Sequence, residues 1–170
     1  MKRLLALVVI FLANCTGIPD GLNAIDKFDM SRYIGTWYEI ARLDNRFEKG
    51  LERISAHYQT RDDGGIDVTN KGWNEQTGEW NMVEGKGYFI DKTDVGRLKV
   101  SFFGPFYGAY NIIDLDKENY SYALVTGPDK SYLWILSKTK QLPKETLNKL
   151  IDKAKSFGFA TENLIFVKQD

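Results

Sequence analysis

YIGTWYEIAR, residues 33–42, is the stretch that decides the fold of this chain. Gly35 stands two residues before Trp37, and a run with strand-like composition follows. This pattern is typical of a chain that turns tightly beneath a bulky ring and then enters a β-strand. On these residues alone, an ordinary first strand with a core tryptophan is the simpler interpretation, so the rest of the chain has to decide.

Turn-forming residues interrupt the chain from Gly35 to Lys138 every ~8–12 residues, which is the spacing of a sandwich or a barrel. Two of these turns are residues 62–65 (DDGG) and 127–129 (GPD). Short links favour an up-and-down antiparallel sheet, and about eight strands can close into a barrel that holds one small ligand. The predicted strands cover roughly residues 36–44, 54–61, 66–73, 80–90, 97–103, 109–115, 120–126 and 131–138.

Alternation along these strands predicts which side chains face the inside of the barrel. Such inward apolar residues could line a cavity, or they could simply fill a narrow barrel. Gly85 and Gly87 on the same face either leave room for a ligand or mark bends in the strand. The predicted inward residues are Ala41, Ile54, Ala56, Tyr58, Val68, Phe89, Leu98, Val100, Tyr110, Ile112, Trp134 and Leu136.

The eighth predicted strand is apolar on both faces, since Leu133 and Ile135 alternate with the inward residues. Its outer face therefore needs a cover, and residues 143–158 supply one. Pro at the start, apolar residues at helical spacing and Gly at the end predict a helix there. The sequence thus predicts an all-β fold: an eight-stranded up-and-down antiparallel β-barrel with one C-terminal α-helix packed on the outside and a short extra strand within 163–168.

The amino terminus has the pattern of a signal peptide. Two basic residues precede an apolar run from Leu4 to Ala13, which is shorter than the ~20 residues that a membrane span needs. The sequence that follows resembles a bacterial lipobox, in which Cys15 is lipidated, although Asn14 departs from the usual residue at its position. A plain secretory signal that is cut near the same place is the alternative.

Cysteine usage favours the lipoprotein interpretation, because Cys15 is the only cysteine and an exported chain with one cysteine forms no internal disulfide. By resemblance to sorted lipoproteins, Thr16 after that cysteine points to the outer membrane. We predict a signal peptide at 1–14, a lipidated tether at 15–28, where glycine, proline and polar residues are frequent, and a barrel domain at 29–170.

Several classes of function lack support in the composition. The 23 basic and 23 acidic residues contain no concentrated basic block, which argues against nucleic acid as a partner. His57, the single histidine, is predicted on the outer face of its strand, and no cluster has the spacing of a metal site or a catalytic triad. We therefore predict no enzymatic activity, no metal and no cofactor.

The ordered set of motifs resembles the lipocalin family, and more closely its bacterial outer-membrane branch, which is grouped with apolipoprotein D. The resemblance covers nearly all of the mature chain. It is carried by residues 35–42 (GTWYEIAR), 61–65 (RDDGG), 100–108 (VSFFGPFYG), 127–129 (GPD) and 132–137 (YLWILS).

The resemblance implies a barrel that is closed by Gly35, Trp37 and Lys138 and open at the other end. It implies that fatty acids or lysophospholipids bind inside without being transformed, and that the protein is anchored in the outer membrane, facing the periplasm, with a homodimer possible. Tyr107 and Trp134 are the residues we expect to contact the acyl chain or the head group. An envelope module with a filled barrel is the alternative, and a lipid-modifying enzyme is a remote third.

Two further expectations concern charged groups near the open end and the floor. Residues 45–53 map to the family's loop between the first two strands, where Arg46, Lys49 and Arg53 could bind a head group or could simply be solvated. Glu39 shares the inward face with Trp37 by alternation, so we expect it to be buried with a partner, either an inward tyrosine or Lys138.

Overall fold

The computed structural model of the protein describes residues 16–170. Eight antiparallel strands follow one another in a meander, and β8 pairs with β1 to close the barrel. This confirms the predicted fold class. The strands are β1 Gly35–Arg42, β2 Leu51–Thr60, β3 Ile66–Asn74, β4 Glu79–Phe89, β5 Arg97–Phe103, β6 Phe106–Leu115, β7 Tyr122–Thr126, β8 Leu133–Ser137 and the extra strand β9 Ile165–Phe166.

The barrel has two different ends. We call the end where β1 begins the floor; the short helix α1, Met30–Tyr33, lies there. We call the opposite end the mouth, and it carries the loops 43–50, 75–78, 104–105 and 127–132. Two clusters of buried apolar residues, one inside the barrel and one outside it, account for most of the core.

The outer cluster is formed by the second helix, α2, Lys144–Ser156, against β8 and its neighbours. Leu150 and Ala154 are buried there with Leu133 and Ile135, as the two apolar faces of β8 predict. Gly158 ends the helix with a φ of +84°, a conformation that glycine adopts without strain. The predicted position of this helix on the outer wall is confirmed.

The strand β1 contains a bulge that the alternation rule could not foresee. Glu39 pairs with Leu136, but Ala41 pairs with Ile135, so the register shifts by one residue between them. Beyond the bulge the faces exchange: Ala41 packs in the outer cluster, while Arg42 pairs with Trp134, an inner residue. The prediction that Ala41 faces inward is therefore wrong.

The strand β6 begins three residues earlier than predicted, at Phe106, and this changes the position of Tyr107. Because Tyr110 packs on the inner cluster, alternation places Tyr107 on the outer face. There its ring lies 4.9 Å from the Lys99 ammonium and 6.5 Å from the Tyr88 ring. The expected contact between Tyr107 and an internal ligand is not supported by this position.

Gly85 leaves no room for a ligand, because a neighbouring aromatic ring already occupies the space. A β-carbon at this position would lie 2.7 Å from a ring carbon of Phe102 and 2.6 Å from the Ser101 carbonyl oxygen. The glycine therefore allows the Phe102 ring to lie across β4. At Gly87 the nearest neighbour, Val100, would lie at an ordinary 3.5 Å.

The C-terminal residues lie between β1 and β2 at the mouth half of the barrel. The two strands pair directly only from Gly35 to Tyr38. Above that point β9 pairs with Ala41 and Arg42, and the Gln169 amide donates to the carbonyl oxygens of both Glu39 and Ile54, at 2.7 and 2.8 Å. The tail thus replaces β2 as the neighbour of β1.

The segment 16–28, predicted as a tether, packs on the barrel: Ile18 and Leu22 contact the outer cluster, whereas Ile25 and Phe28 join the inner one. Near the floor, the Phe28 amide donates to the Asp94 carbonyl oxygen. Farther along, the Gly17 carbonyl oxygen accepts from the Asn111 amide, which also donates to Gly127 at the mouth end of β7. The Ile25 amide donates to the Ile112 carbonyl oxygen, and the Thr16 carbonyl oxygen accepts from the Arg97 guanidinium, so the segment is tied to β5 and β6 at several points. Cys15 and the predicted signal peptide lie outside the described residues.

Candidate ligand-binding site

The floor of the barrel is built around Trp37, which is completely buried. Its indole N–H donates to the Tyr33 carbonyl oxygen at 2.7 Å, and the Tyr33 ring stacks on it at 4.5 Å. The short helix α1 places Tyr33 there, with Asp29 capping its first turn through the Ser31 amide. Sequence reasoning assigned no role to Tyr33, although it stands only four residues before the tryptophan.

Lys138 closes the floor from the other side of Trp37. Its ammonium lies 4.6 Å from the Trp37 ring and donates to the carbonyl oxygens of Ile34, at 2.6 Å, and Tyr33, at 3.2 Å. Burial lowers the pKa of Lys138, because a cation loses hydration there. Gly35 has a φ of +95° and lies beside this ammonium, so the predicted group of Gly35, Trp37 and Lys138 does meet at the floor.

Three tyrosines form a polar group inside the barrel above the floor. The Tyr110 hydroxyl lies 2.7 Å from the Tyr33 hydroxyl and 2.9 Å from that of Tyr58, which donates to it. Burial raises the pKa of all three well above the usual tyrosine value, so they remain neutral donors. Two of the three were predicted as inward residues.

The inside of the barrel is tightly packed around Trp37 at the floor. A void of about 10 Å³ lies beside the tyrosines, which is room for about one water molecule. By contrast Val100, Phe102 and Trp134, which lie nearer the mouth, pack on the inner cluster but remain only partly buried. The void is lined by Met30, Tyr33, Tyr58, Ile66, Val68, Gly87, Leu98, Val100 and Tyr110.

Most of the predicted inward residues do face the inside. Ile54 is buried. Its side chain packs against β3 at Gly72, where it lies 3.4 Å from the position that a β-carbon would take. Ala41 and Tyr107 are the exceptions described above. The inner cluster and the residues packed on it include Ala56, Tyr58, Val68, Phe89, Leu98, Val100, Tyr110, Ile112, Trp134 and Leu136.

A buried ion pair lies inside the mouth half of the barrel. The Arg42 guanidinium donates to the Glu39 carboxylate at 3.1 Å, and both side chains are about 3% exposed. The prediction that Glu39 is buried with a partner is confirmed. The expected partner was wrong, because the bulge after Glu39 brings Arg42 to the inner face in place of Lys138 or a tyrosine.

The ion pair also fixes the loop between β1 and β2. The second nitrogen of Arg42 donates to the Glu48 carbonyl oxygen at 3.0 Å. The Glu48 carboxylate in turn accepts from the Trp134 indole at 2.9 Å and from the Asn45 amide at 2.6 Å. Arg42, Glu48 and Trp134 thus hold the loop over the inner wall. Sequence reasoning had given Arg42 and Glu48 no role.

Burial raises the pKa of Glu39 well above the usual glutamate range, and the neighbouring Glu48 carboxyl raises it further. The Arg42 charge acts in the opposite direction but does not outweigh the lost hydration. The folded state therefore holds a proton on Glu39 over a pH range in which the unfolded chain has released it.

This shift predicts a pH dependence of stability. A carboxyl group whose pKa is higher in the folded state stabilises the fold fully below the unfolded pKa and loses that contribution as the pH rises through the folded pKa. The free energy of unfolding should fall from about pH 4.5 upward, by at most about 1.4 kcal/mol per pH unit for this one group. Glu39→Gln should remove this fall, as measured by urea unfolding at several pH values.

Glu145→Gln is the control for that experiment, because Glu145 is exposed on α2 and its pKa is lowered by Lys149. The control should retain the decline with pH that the parent shows. An unchanged decline in the Glu39→Gln variant would contradict the assignment of this effect to Glu39.

The predicted head-group loop is only partly at the mouth. Arg46 lies over the exposed Phe47 ring, 4.9 Å from its centre, and Lys49 is exposed beside it. Arg53 instead turns to the outer wall, where it donates to the Asp170 carbonyl oxygen at 2.9 Å. The binding of a head group by Arg46 and Lys49 stays a prediction.

A larger hollow of about 420 Å³ lies on the outer wall, where Arg53, Lys71 and Lys140 surround Trp80 and the terminal Asp170. It is open to solvent and separate from the inner wall. Within residues 16–170, no group of three His, Cys, Asp or Glu side chains could hold a metal ion. In the same described region, no helix has the length and hydropathy required to cross a membrane.

Comparison with known proteins decides the family. The lipocalin-like domain family matches residues 28–169. This chain is a lipocalin. The outer membrane lipoprotein Blc of Vibrio cholerae is 48% identical to it over 165 residues, which cover 97% of this lipocalin and 96% of that protein. The protein of the same name from Escherichia coli K12 is 52% identical over 151 residues, 89% of this chain and 85% of that one.

Solved structures agree with the fold. Insecticyanin from the tobacco hornworm superposes with a TM-score of 0.72 at 25% identity, covering 89% of this lipocalin and 86% of that chain. The bacterial relatives are named outer membrane lipoproteins, which confirms the predicted outer-membrane location. Lipocalins bind hydrophobic small molecules rather than transform them, so family membership confirms the prediction that this protein is not an enzyme.

Proposed function

We propose that this lipocalin is anchored in the outer membrane by a lipid on Cys15 and holds fatty acids or lysophospholipids in the mouth half of its barrel. The observation that carries the proposal is the difference between the two halves of the inner wall. At the floor Tyr33 and Trp37 are buried, whereas the apolar side chains of Val100, Phe102 and Trp134, nearer the mouth, remain partly accessible. An accessible apolar wall with a few polar groups is the usual design of a lipid site.

The ligand would lie with its acyl chain against this wall and with its tail above the tyrosine group. Ala56, Val100, Tyr110 and Trp134 would contact the acyl chain. Trp134 would also face the head group, because its indole is already held towards the mouth by Glu48. The role served by such binding would be storage, maintenance or transport of membrane lipids, including under stress.

The filled-barrel alternative draws on the void of only about 10 Å³ at the floor, which is far below the ~300 Å³ of a usual ligand site. In that case the barrel would serve as an interaction module of the envelope. The two hypotheses differ in whether a lipid occupies the mouth half, so a direct binding measurement separates them.

Gly108 offers a way to close the proposed site without disturbing the floor. It pairs with the inward Val100, so a side chain introduced at this position would point inward. An added β-carbon would meet only the Val100 carbonyl oxygen, at 4.0 Å. Gly108→Leu should therefore fill the ligand space and weaken binding of oleate or lysophosphatidylethanolamine by at least about tenfold, a loss of ~1.4 kcal/mol. Titration followed by tryptophan fluorescence measures the affinity.

Ala109→Leu is the matched control, since Ala109 is the next residue and faces the outer wall. Ala109→Leu should bind lipid with the affinity of the parent. In a separate measurement, mass spectrometry of gently purified parent protein should show stoichiometric lipid. Equal binding by both variants would remove the site from the mouth half. Absence of both co-purified lipid and titratable binding in the parent would favour the filled-barrel module.

A further inference from the structure

Three phenylalanines at the mouth project into solvent. Phe47 in the loop 43–50 is 66% exposed, and Phe103 and Phe106, on either side of the tight turn 104–105, are 76% and 78% exposed. Neither the inner nor the outer cluster includes them. Exposed aromatic side chains grouped at one end of a domain indicate a surface that meets a partner.

The arrangement of these phenylalanines fits a flat partner. One tip joins β1 to β2 and the other joins β5 to β6, so the two stand on opposite sides of the mouth in the closed strand order. A partner that meets both tips has to extend across the whole opening. A bilayer surface does so, and phenylalanine rings at such a surface enter the boundary between head groups and acyl chains.

The charges around Phe47 suit a surface of anionic lipid. Arg46 lies over the Phe47 ring and Lys49 follows two residues later, both exposed, against one exposed acid in the same loop, Asp44. Basic side chains beside an inserted aromatic ring can keep their charge among the head groups while their stems stay in the apolar region.

We propose that the mouth docks on a lipid bilayer, with Phe47, Phe103 and Phe106 inserted into its surface, so that a lipid passes between bilayer and barrel without crossing water. The inference rests on the lipid binding proposed above and adds the surface through which the lipid enters. A second copy of the chain is the competing occupant of the same tips.

Vesicle binding by the full chain with Cys15→Ser, which cannot receive a lipid, tests this surface. The rim variant carries Phe47→Ser and Phe106→Ser. The control carries Met82→Ser and Phe166→Ser, two apolar residues on the outer wall that are 65% and 55% exposed. Each protein is sedimented with vesicles of phosphatidylethanolamine containing one-quarter phosphatidylglycerol, and its affinity for monomeric lipid is titrated separately.

We expect the parent and the control to bind the vesicles alike and the rim variant to bind at least about tenfold more weakly, since each buried phenylalanine contributes substantially to partition. All three should bind monomeric lipid equally, so a failure of docking is distinguished from a failure of lipid binding. A parent that does not bind vesicles, or a rim variant that binds as well as the control, overturns the proposal. A dimeric parent that the rim substitutions make monomeric without loss of vesicle binding also overturns it, in favour of a second copy.

Discussion

Arg42→Ala should lower the free energy of unfolding by about 3–5 kcal/mol near pH 8, because it leaves the Glu39 carboxylate buried without its partner. The cost should be smaller near pH 5, because a lower pH and the raised pKa of Glu39 both favour its protonated form, which needs no counter-charge. The substitution also removes the bond from the guanidinium to the Glu48 carbonyl oxygen, so amide hydrogens of the loop 43–50 should exchange faster. Urea unfolding at both pH values and hydrogen exchange measure these effects.

The double variant Glu39→Leu with Arg42→Leu is the control for charge burial. It removes both charges and keeps apolar volume, so it should be more stable than Arg42→Ala at pH 8. If the double variant is as unstable as Arg42→Ala at both pH values, the loss is one of packing, and the ion pair does not explain it.

Trp37→Ala should have a similarly large effect, about 3–5 kcal/mol, because it empties the floor of the barrel. The Tyr33 ring loses its stacking partner, and the Lys138 ammonium loses the indole face beneath it. The loss should show as a lower midpoint in thermal and urea unfolding. A cost below about 1 kcal/mol would mean that the floor collapses onto the missing ring, contrary to a tightly packed closure.

Trp37→Phe separates the ring from its N–H group. It keeps an aromatic ring in the floor but removes the donor to the Tyr33 carbonyl oxygen. Its free energy of unfolding should therefore lie between that of the parent and that of Trp37→Ala. Lys138→Met offers the matching test on the other side, since it keeps the apolar stem and removes the charge.

The fold could be predicted because its signals are local and repeated. Turn residues mark the ends of each strand, and two-residue alternation separates the faces, so an interval count suffices to obtain eight strands. The helix α2 followed from the apolar outer face of β8, which requires a cover. The strand ends were less accurate: β6 extends to the turn at 104–105, and the alternation that places Tyr107 outside applies only once that extension is known.

The polar part of the site could not be predicted, because it depends on one extra residue in β1. A bulge leaves no clear trace in the sequence GTWYEIAR, yet it moves Ala41 to the outer wall and Arg42 to the inner one. The partner of Glu39 was therefore named wrongly even though its burial was foreseen. Glu48 is a long-range partner of Trp134, 86 positions away, and only the closed barrel brings the two together.

Gly85 shows the limit of composition as evidence for a cavity. A glycine on an inner face predicts missing volume, but the sequence does not show which neighbour takes that volume. Here Phe102 does, so space for a ligand has to be sought near Gly108 instead.

The carboxyl-terminal tail between β1 and β2 also sets the shape of the barrel. At the floor the wall consists of eight strands, while at the level of Ala41 the pairing of β9 with β1 inserts a ninth. One added strand widens the perimeter by about 4.8 Å. The barrel is therefore wider at the mouth than at the floor, and the final residues of the chain are the reason for this difference.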